Sequence, residues 1–118
     1  MEHLAAFNSH DTSRLLSGLH PEVRWETGQE IVVGRPAAAD LFDDWLWGMN
    51  PRLDLLSLVV DADLAAAECT EHLTVHGGPV QSAIAVFFTV WDGQLTRVKV
   101  FREGSANVPD KDGAVSPG

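Results

Sequence analysis

The chain has no tyrosine and a single cysteine, and basic side chains are scarce, with 8 Lys and Arg against 17 Asp and Glu for a formal net charge of -9. Each shortage excludes something. One cysteine, Cys69, rules out an intrachain disulfide framework and any multi-cysteine zinc or iron-sulfur site. The acidic balance repels phosphate backbones and anionic lipid, so nucleic acid and membrane surfaces are not expected partners. No run approaches the ~18 apolar residues needed to span a bilayer, and the start carries no basic, then apolar leader, so a cytoplasmic protein is expected. Without tyrosine, acid-base chemistry falls to carboxylates, histidines, Lys99 or water. No metal or organic cofactor is expected either: His72 and His76 are four apart on one strand face, ~13 Å along an extended chain, too far to share an ion. Glycine-rich phosphate loops and a Gly-x-Ser-x-Gly elbow are also missing.

What remains is an ordinary globular composition, 45% hydrophobic and 21% charged over 118 residues, enough for one domain. Residues 1–103 carry the apolar patterning. Residues 104–118 are rich in Gly, Pro, Asp and Ser and read as a disordered tail.

Two short helices with a kink near Asp11 open the chain, because Asp11 ahead of Thr12 and Ser13 is a good N-cap. Two short strands around Gly28 follow. Pro36 suits a first helical position, and Ala38, Leu41, Phe42, Trp45, Leu46 and Met49 then form one apolar stripe at helical spacing. Beyond Pro51 the period becomes two. Segments 53–60, 64–76, 80–91 and 95–102 read as strands, the last three joined by turns at His76-Gly77-Gly78 and Asp92-Gly93 into an antiparallel meander. Ile84, Val86, Phe88 and Val90 alternate on one face that suits a dimer interface. Helices segregated from long strands make an α+β pattern.

In that order and spacing, "AAFNSHDTSRLLSGLHPEVRWE", "VGRPAAADLF" and "VWDGQLTRVKVFRE" resemble the SnoaL-like group of the nuclear transport factor 2-like superfamily, which includes polyketide cyclases, ketosteroid isomerases and limonene epoxide hydrolases. The resemblance implies a cone-shaped, curved antiparallel sheet packed on three N-terminal helices, an interior pocket for a hydrophobic small molecule, and a homodimer through the sheet. It implies no single reaction. Against a ketosteroid isomerase, His3 falls at the oxyanion-stabilising tyrosine, Thr27 at the general base and Phe87 near the second acid, so that activity is not expected. An epoxide hydrolase of this group has an Arg and an Asp two apart on one strand with a second Asp on a neighbour; no Arg-x-Asp is identified, so that activity is not expected here either.

Two strands decide the candidate site. On 64–76, Glu71 shares a face with Ala67, Cys69, Leu73 and Val75, and a lone carboxylate among apolar residues needs a cationic or hydrogen-bonding partner, which Arg97 or Lys99 would supply, either tuning a base or forming a buried ion pair that fixes the sheet. On 95–102, Arg97, Lys99 and Phe101 share one face, and Val98 and Val100 the other. Period alone favours the two cations on a solvated face; the family's phase turns them into the pocket. The candidate catalytic set is therefore Glu71 as proton shuttle with Arg97 and Lys99 at an enolate oxygen, and His3, Trp25, Thr27, Phe87 and Phe101 as ligand contacts. Such a protein is a cofactor-independent cyclase or isomerase, or else a non-catalytic ligand-binding or dimerisation module of the same fold.

Overall fold

The computed structural model describes residues 2–103, with the backbone alone for Glu2. The expected tail, 104–118, and with it the expected domain boundary, lie outside the described residues. Helix α1 (Glu2–Asn8) and helix α2 (Thr12–Ser17) lead into strands β1 (Leu19–Thr27) and β2 (Glu30–Val33). Helix α3 (Arg35–Leu41) continues through a π turn (Phe42–Leu46) and a 3-10 turn (Trp47–Met49). Strands β3 (Arg52–Asp61), β4 (Leu64–Val75), β5 (Gly78–Trp91) and β6 (Gln94–Arg102) complete the chain.

Local chemistry accounts for most of these boundaries. The Asp11 carboxylate accepts the Arg14 amide at 3.1 Å and caps α2. Between β2 and α3, Gly34 sits at φ +91° while its amide donates to the Val23 carbonyl at 2.7 Å, a left-handed corner that suits only glycine. His76-Gly77 and Asp92-Gly93 both hold two successive positive φ values, the turn that matches the twist of a hairpin.

All six strands join one sheet in the order β2-β1-β6-β5-β4-β3. The meander β3 to β6 is antiparallel, as expected. Its last strand pairs in parallel with β1, which makes the sheet mixed and closes the short hairpin onto the long strands. Helices and sheet enclose one core, in which Phe42, Leu15, Leu19, Val23 and Val98 are among the most buried side chains.

Two features depart from the sequence pattern. The π turn has more residues per turn than an α-helix and rotates the stripe of α3: Ala38, Leu41, Phe42 and Leu46 are buried, but Trp45 is 46% exposed. Trp47 packs on Phe7 and Phe42 instead, at ring distances of 5.2 and 5.4 Å. The face carrying Ile84, Val86 and Phe88 is not an outer interface. All three are buried beneath the helices.

Candidate functional site

The concave face of the sheet is set by strand alternation and by a bulge between β5 and β6. In β4 it carries Ala67, Cys69 and Glu71; in β5, Ile84, Val86 and Phe88; in β6, Val98, Val100 and Arg102. A bulge between β5 and β6 pairs Thr89 with Arg97 but Val90 with Leu95, leaving Thr96 as the extra residue. Leu95 and Val98 both turn inward as a result, so Leu95 does not share the face of Arg97.

Under the helices lies a chamber of about 30 Å3, lined on its polar side by His3, Thr27, Glu71 and Arg102, with Trp25 and Phe88 among its apolar walls. Glu71 is 2% exposed. Arg102 grips its carboxylate with Nε at 2.6 Å and Nη2 at 2.8 Å, and Nη1 donates to Thr27 Oγ1 at 2.8 Å. This two-pronged geometry is the strong form of a carboxylate–guanidinium pair. Beyond His3 and Phe88, which line both spaces, a vestibule of about 410 Å3 opens between the first two helices and the far ends of the strands. Leu58, Val60, Val90 and Leu95 make its apolar walls, and Arg14 stands at the side of α2.

His3 lines both spaces. Its ring lies 5.8 Å from Trp25 and 5.6 Å from Phe88, and burial lowers its pKa to about 4, so the imidazole is neutral at physiological pH. Burial also pushes the Cys69 thiol up, helped by the charges of Asp54 and Glu68, so this cysteine is an inert wall rather than a nucleophile.

The sheet separates the remaining candidates from this cavity. Arg97 and Lys99 project from the opposite, outer face, correcting their expected place in the pocket. Arg97 Nε donates to Glu26 Oε2 at 2.9 Å, Lys99 Nζ lies 3.5 Å from Oε1, and Arg24 Nε lies 3.6 Å from the same oxygen. Burial pushes the Glu26 carboxyl up, but the Arg97 hydrogen bond and the charges of Lys99, Arg97 and Arg24 outweigh it and hold the group below its ordinary range. Phe101 and Phe87 stack edge to face at 5.7 Å on the same outer face, with Lys99 Nζ 5.2 Å from the Phe101 centroid. They line a shallow outer groove, not the cone. The physical reason is the neighbour strand. Pairing with β1 sets Arg97 beside Arg24 and Lys99 beside Glu26, where two long cations keep a carboxylate partner and water while Val98 fills the core.

Of the residues expected at the pocket, Glu71, His3, Trp25 and Thr27 meet in one chamber; Arg97, Lys99, Phe87 and Phe101 do not. The residue that sequence reasoning missed is Arg102. Its signal was present, since alternation puts it in phase with Val98 and Val100 and a buried Glu71 required a cation.

One Arg-x-Asp does occur, Arg52-Leu53-Asp54 on β3, correcting the expectation of none, and its two charged side chains face outward. Arg52 and His72 both bond the Asp54 carboxylate, at 2.9 Å each, and in that order they hold its pKa below the usual range. Leu53 between them turns inward, so no epoxide-opening pair reaches the cone. Among the described residues no group of three or more His, Cys, Asp or Glu side chains is arranged to hold a metal ion, and no helix is long and apolar enough to cross a membrane.

A curved sheet wrapped around a pocket under three N-terminal helices is the fold of nuclear transport factor 2-like proteins. The chain belongs to the SnoaL-like domain family, whose sequence profile matches residues 2–98. Among solved structures it resembles a candidate polyketide cyclase from Xanthomonas campestris pv. campestris, at 23% identity and a TM-score of 0.78 over 86% of this chain and 85% of that one. TerC, crystallised with polyporic acid, is 20% identical, with a TM-score of 0.77 over 86% of each chain. An LEH-like epoxide hydrolase from M. tuberculosis is 18% identical, with a TM-score of 0.78 over 86% of this chain and 77% of that one. No curated protein matches significantly.

Proposed function

We propose that this SnoaL-like domain binds a flat hydrophobic small molecule, its body in the vestibule and one oxygen reaching toward the Thr27–Arg102–Glu71 floor. The observation that carries the reading is the adjacency of the two spaces, which share His3 and Phe88 in their walls. An apolar vestibule of about 410 Å3 adjoins a smaller, mostly apolar chamber that holds a few polar groups, and His3 and Phe88 line both. Small-molecule sites typically enclose about 300–1,000 Å3, mostly apolar, with a few fixed polar groups. The vestibule has that size and the chamber holds those groups. Trp25 supplies a flat wall. Glu71 is committed to Arg102 at both oxygens, so it serves to orient Arg102 rather than to shuttle a proton, and Arg97 and Lys99, beyond the sheet, take no part. The resemblance to TerC, a protein crystallised with polyporic acid, points the same way.

The test is a thermal-shift screen of flat hydroxylated aromatics, repeated on Leu58→Glu, which puts a charge into the vestibule wall from a partly exposed position. Saturable stabilisation of the native chain is expected, with the shift lost in the variant. A hit that stabilises both proteins equally refutes the vestibule as the site.

The same reading includes a homodimer through the outer sheet face. Phe87 and Phe101 are 46% and 50% exposed there, and Val59 and Leu64 are exposed nearby. Apolar side chains of that size on one sheet face are the usual sign of an interface.

A further inference from the structure

Strand β3 ends the sheet, and it pairs only with β4. At its start the Asn8 side chain stands in for a missing neighbour: Nδ2 donates to the Leu53 carbonyl at 2.9 Å, and Oδ1 accepts from the Leu53 amide at 2.8 Å. The backbone of Leu53 therefore points away from β4. At the other end Asp61 pairs with Leu64 across a two-residue turn, and the pair that closes such a turn bonds inward, which leaves Val60 and then Leu58 facing the open edge. The bulge at Leu56 reconciles the two ends, since one extra residue shifts the phase by one. Among the described residues, no hydrogen bond beyond the β4 ladder reaches the backbone of 57–61.

Edge strands are commonly blunted by lysine, proline or a covering helix. Residues 55–60 read Leu-Leu-Ser-Leu-Val-Val, with no charge and no proline, and Leu56, Val59 and Val60 are 61%, 66% and 66% exposed. The two sides of this edge differ. Leu58 and Val60 turn toward the vestibule, while Ser57, Val59 and Asp61 turn to the outer face. That outer side is acidic: Asp61, Asp63 and Glu68 are exposed, and none has a cationic partner among the described residues. Glu68 accepts from Ser57 Oγ at 3.2 Å, and Arg52, at the far end of β3, is bound to Asp54.

We propose that the 57–61 edge of β3 accepts an extended segment of another protein in which aliphatic residues alternate with lysine or arginine, adding a strand to the sheet. The N–H and C=O groups of Leu58 and Val60 supply the ladder, and the pleat sorts the incoming side chains. Aliphatic residues of the segment lie against Leu58 and Val60. Basic residues fall opposite Ser57, Val59 and Asp61, and because Ser57 is small a long cation also meets Glu68, one strand further and about 10 Å away. Charge decides against a second copy of this chain. Its own β3 brings Asp54 and Asp61 to the same side of the pair, where like charges repel, in a protein whose net charge is already -9. The proposal is independent of any ligand in the cone, since it needs only the edge backbone and the carboxylates outside.

The probe is a fluorescein-labelled peptide, Lys-Val-Lys-Val-Lys-Val-Lys, titrated with the full chain by fluorescence anisotropy, with amide exchange of β3 followed by NMR. Saturable binding is expected, with exchange slowed at Leu58 and Val60 and little changed at Val59, which already bonds β4. Lys-Lys-Val-Val-Val-Lys-Lys, of equal charge but without alternation, binds at least about tenfold more weakly. Val60→Pro removes an edge donor, leaves the β4 ladder intact and costs about tenfold in affinity. Asp61→Lys, at an exposed position and mild for folding, costs about fivefold and binds Glu-Val-Glu-Val-Glu-Val-Glu better than the native chain does. Should Val60→Pro fail to fold, the peptide pair and Asp61→Lys carry the test. Absence of binding, equal affinity for the two basic peptides, or affinity undiminished in either folded variant overturns the proposal. So does protection of Leu58 and Val60 that rises with protein concentration in the absence of peptide, which assigns the edge to a second copy.

Discussion

Replacing Arg102 with methionine tests the floor of the cone directly. Glu71 has a side chain 3% exposed and Arg102 one 22% exposed, and the carboxylate's hydrogen bonds, at 2.6 and 2.8 Å, both come from Arg102. Arg102→Met therefore strands a carboxylate in a nearly dry chamber. Breaking such a pair by removing one partner costs about 3–5 kcal/mol. For a domain near this size, about 4–8 °C of melting temperature is lost per kcal/mol, which gives a drop of at least about 12 °C. Glu71→Gln is milder, because the amide keeps one acceptor for Arg102, and Arg102 still reaches Thr27 and some water; about 1–2 kcal/mol is expected. Glu71→Met combined with Arg102→Met removes both charges and recovers much of the loss, since an apolar pair of similar volume replaces a desolvated ion pair. Urea titrations of the native chain, Arg102→Met, Glu71→Met and the double variant, at equal m-value, measure the coupling. A cost below about 1 kcal/mol for Arg102→Met, or additive single and double variants, refutes the argument that this pair is buried and coupled.

Two further outcomes follow from the same geometry. The His3 imidazole has its pKa lowered from 6.5 to about 4 by burial, so between those values the unfolded chain binds a proton that the folded chain refuses. Stability falls as pH drops from about 6.5 toward 4, by up to about 3 kcal/mol at 1.36 per unit; urea midpoints at both ends should show the slope, and His3→Gln should flatten it relative to the native chain. On the outer face, Phe101→Glu places a charge in the exposed aromatic pair with Phe87 and should convert a dimer to a monomer in sedimentation equilibrium, with melting behaviour of the isolated fold little changed; a native protein already monomeric at high concentration removes the dimer proposal.

The local code was legible wherever a residue's own chemistry sets the backbone. Asp11 caps α2, Pro36 opens α3, and the His76-Gly77 and Asp92-Gly93 turns set the hairpins. Glu71 was legible too, because Ala67 and Cys69 share its face and nothing between them breaks the alternation. Trp45 was not. A π turn adds a fraction of a residue to each turn, and no single side chain announces it.

By itself, the sequence determined the family, the order of the elements, and which residues share a strand face, since alternation follows from the pleat alone. Only the tertiary structure decided which face is the inside. Arg97 and Lys99 could equally have lined the cone until β1 docked in parallel against β6, bringing Glu26 beside them on the outer face while Val98 sank into the core. That choice turned Arg102 inward as the partner of Glu71. Of the few basic residues in a strongly acidic chain, three gather around Glu26 outside and one is bound within, so the cavity carries a balanced ion pair rather than a positive field. The physical reason is desolvation: a strand's two faces are interchangeable until a neighbour offers a partner for its charges, and burying them without one costs more than either packing arrangement gains.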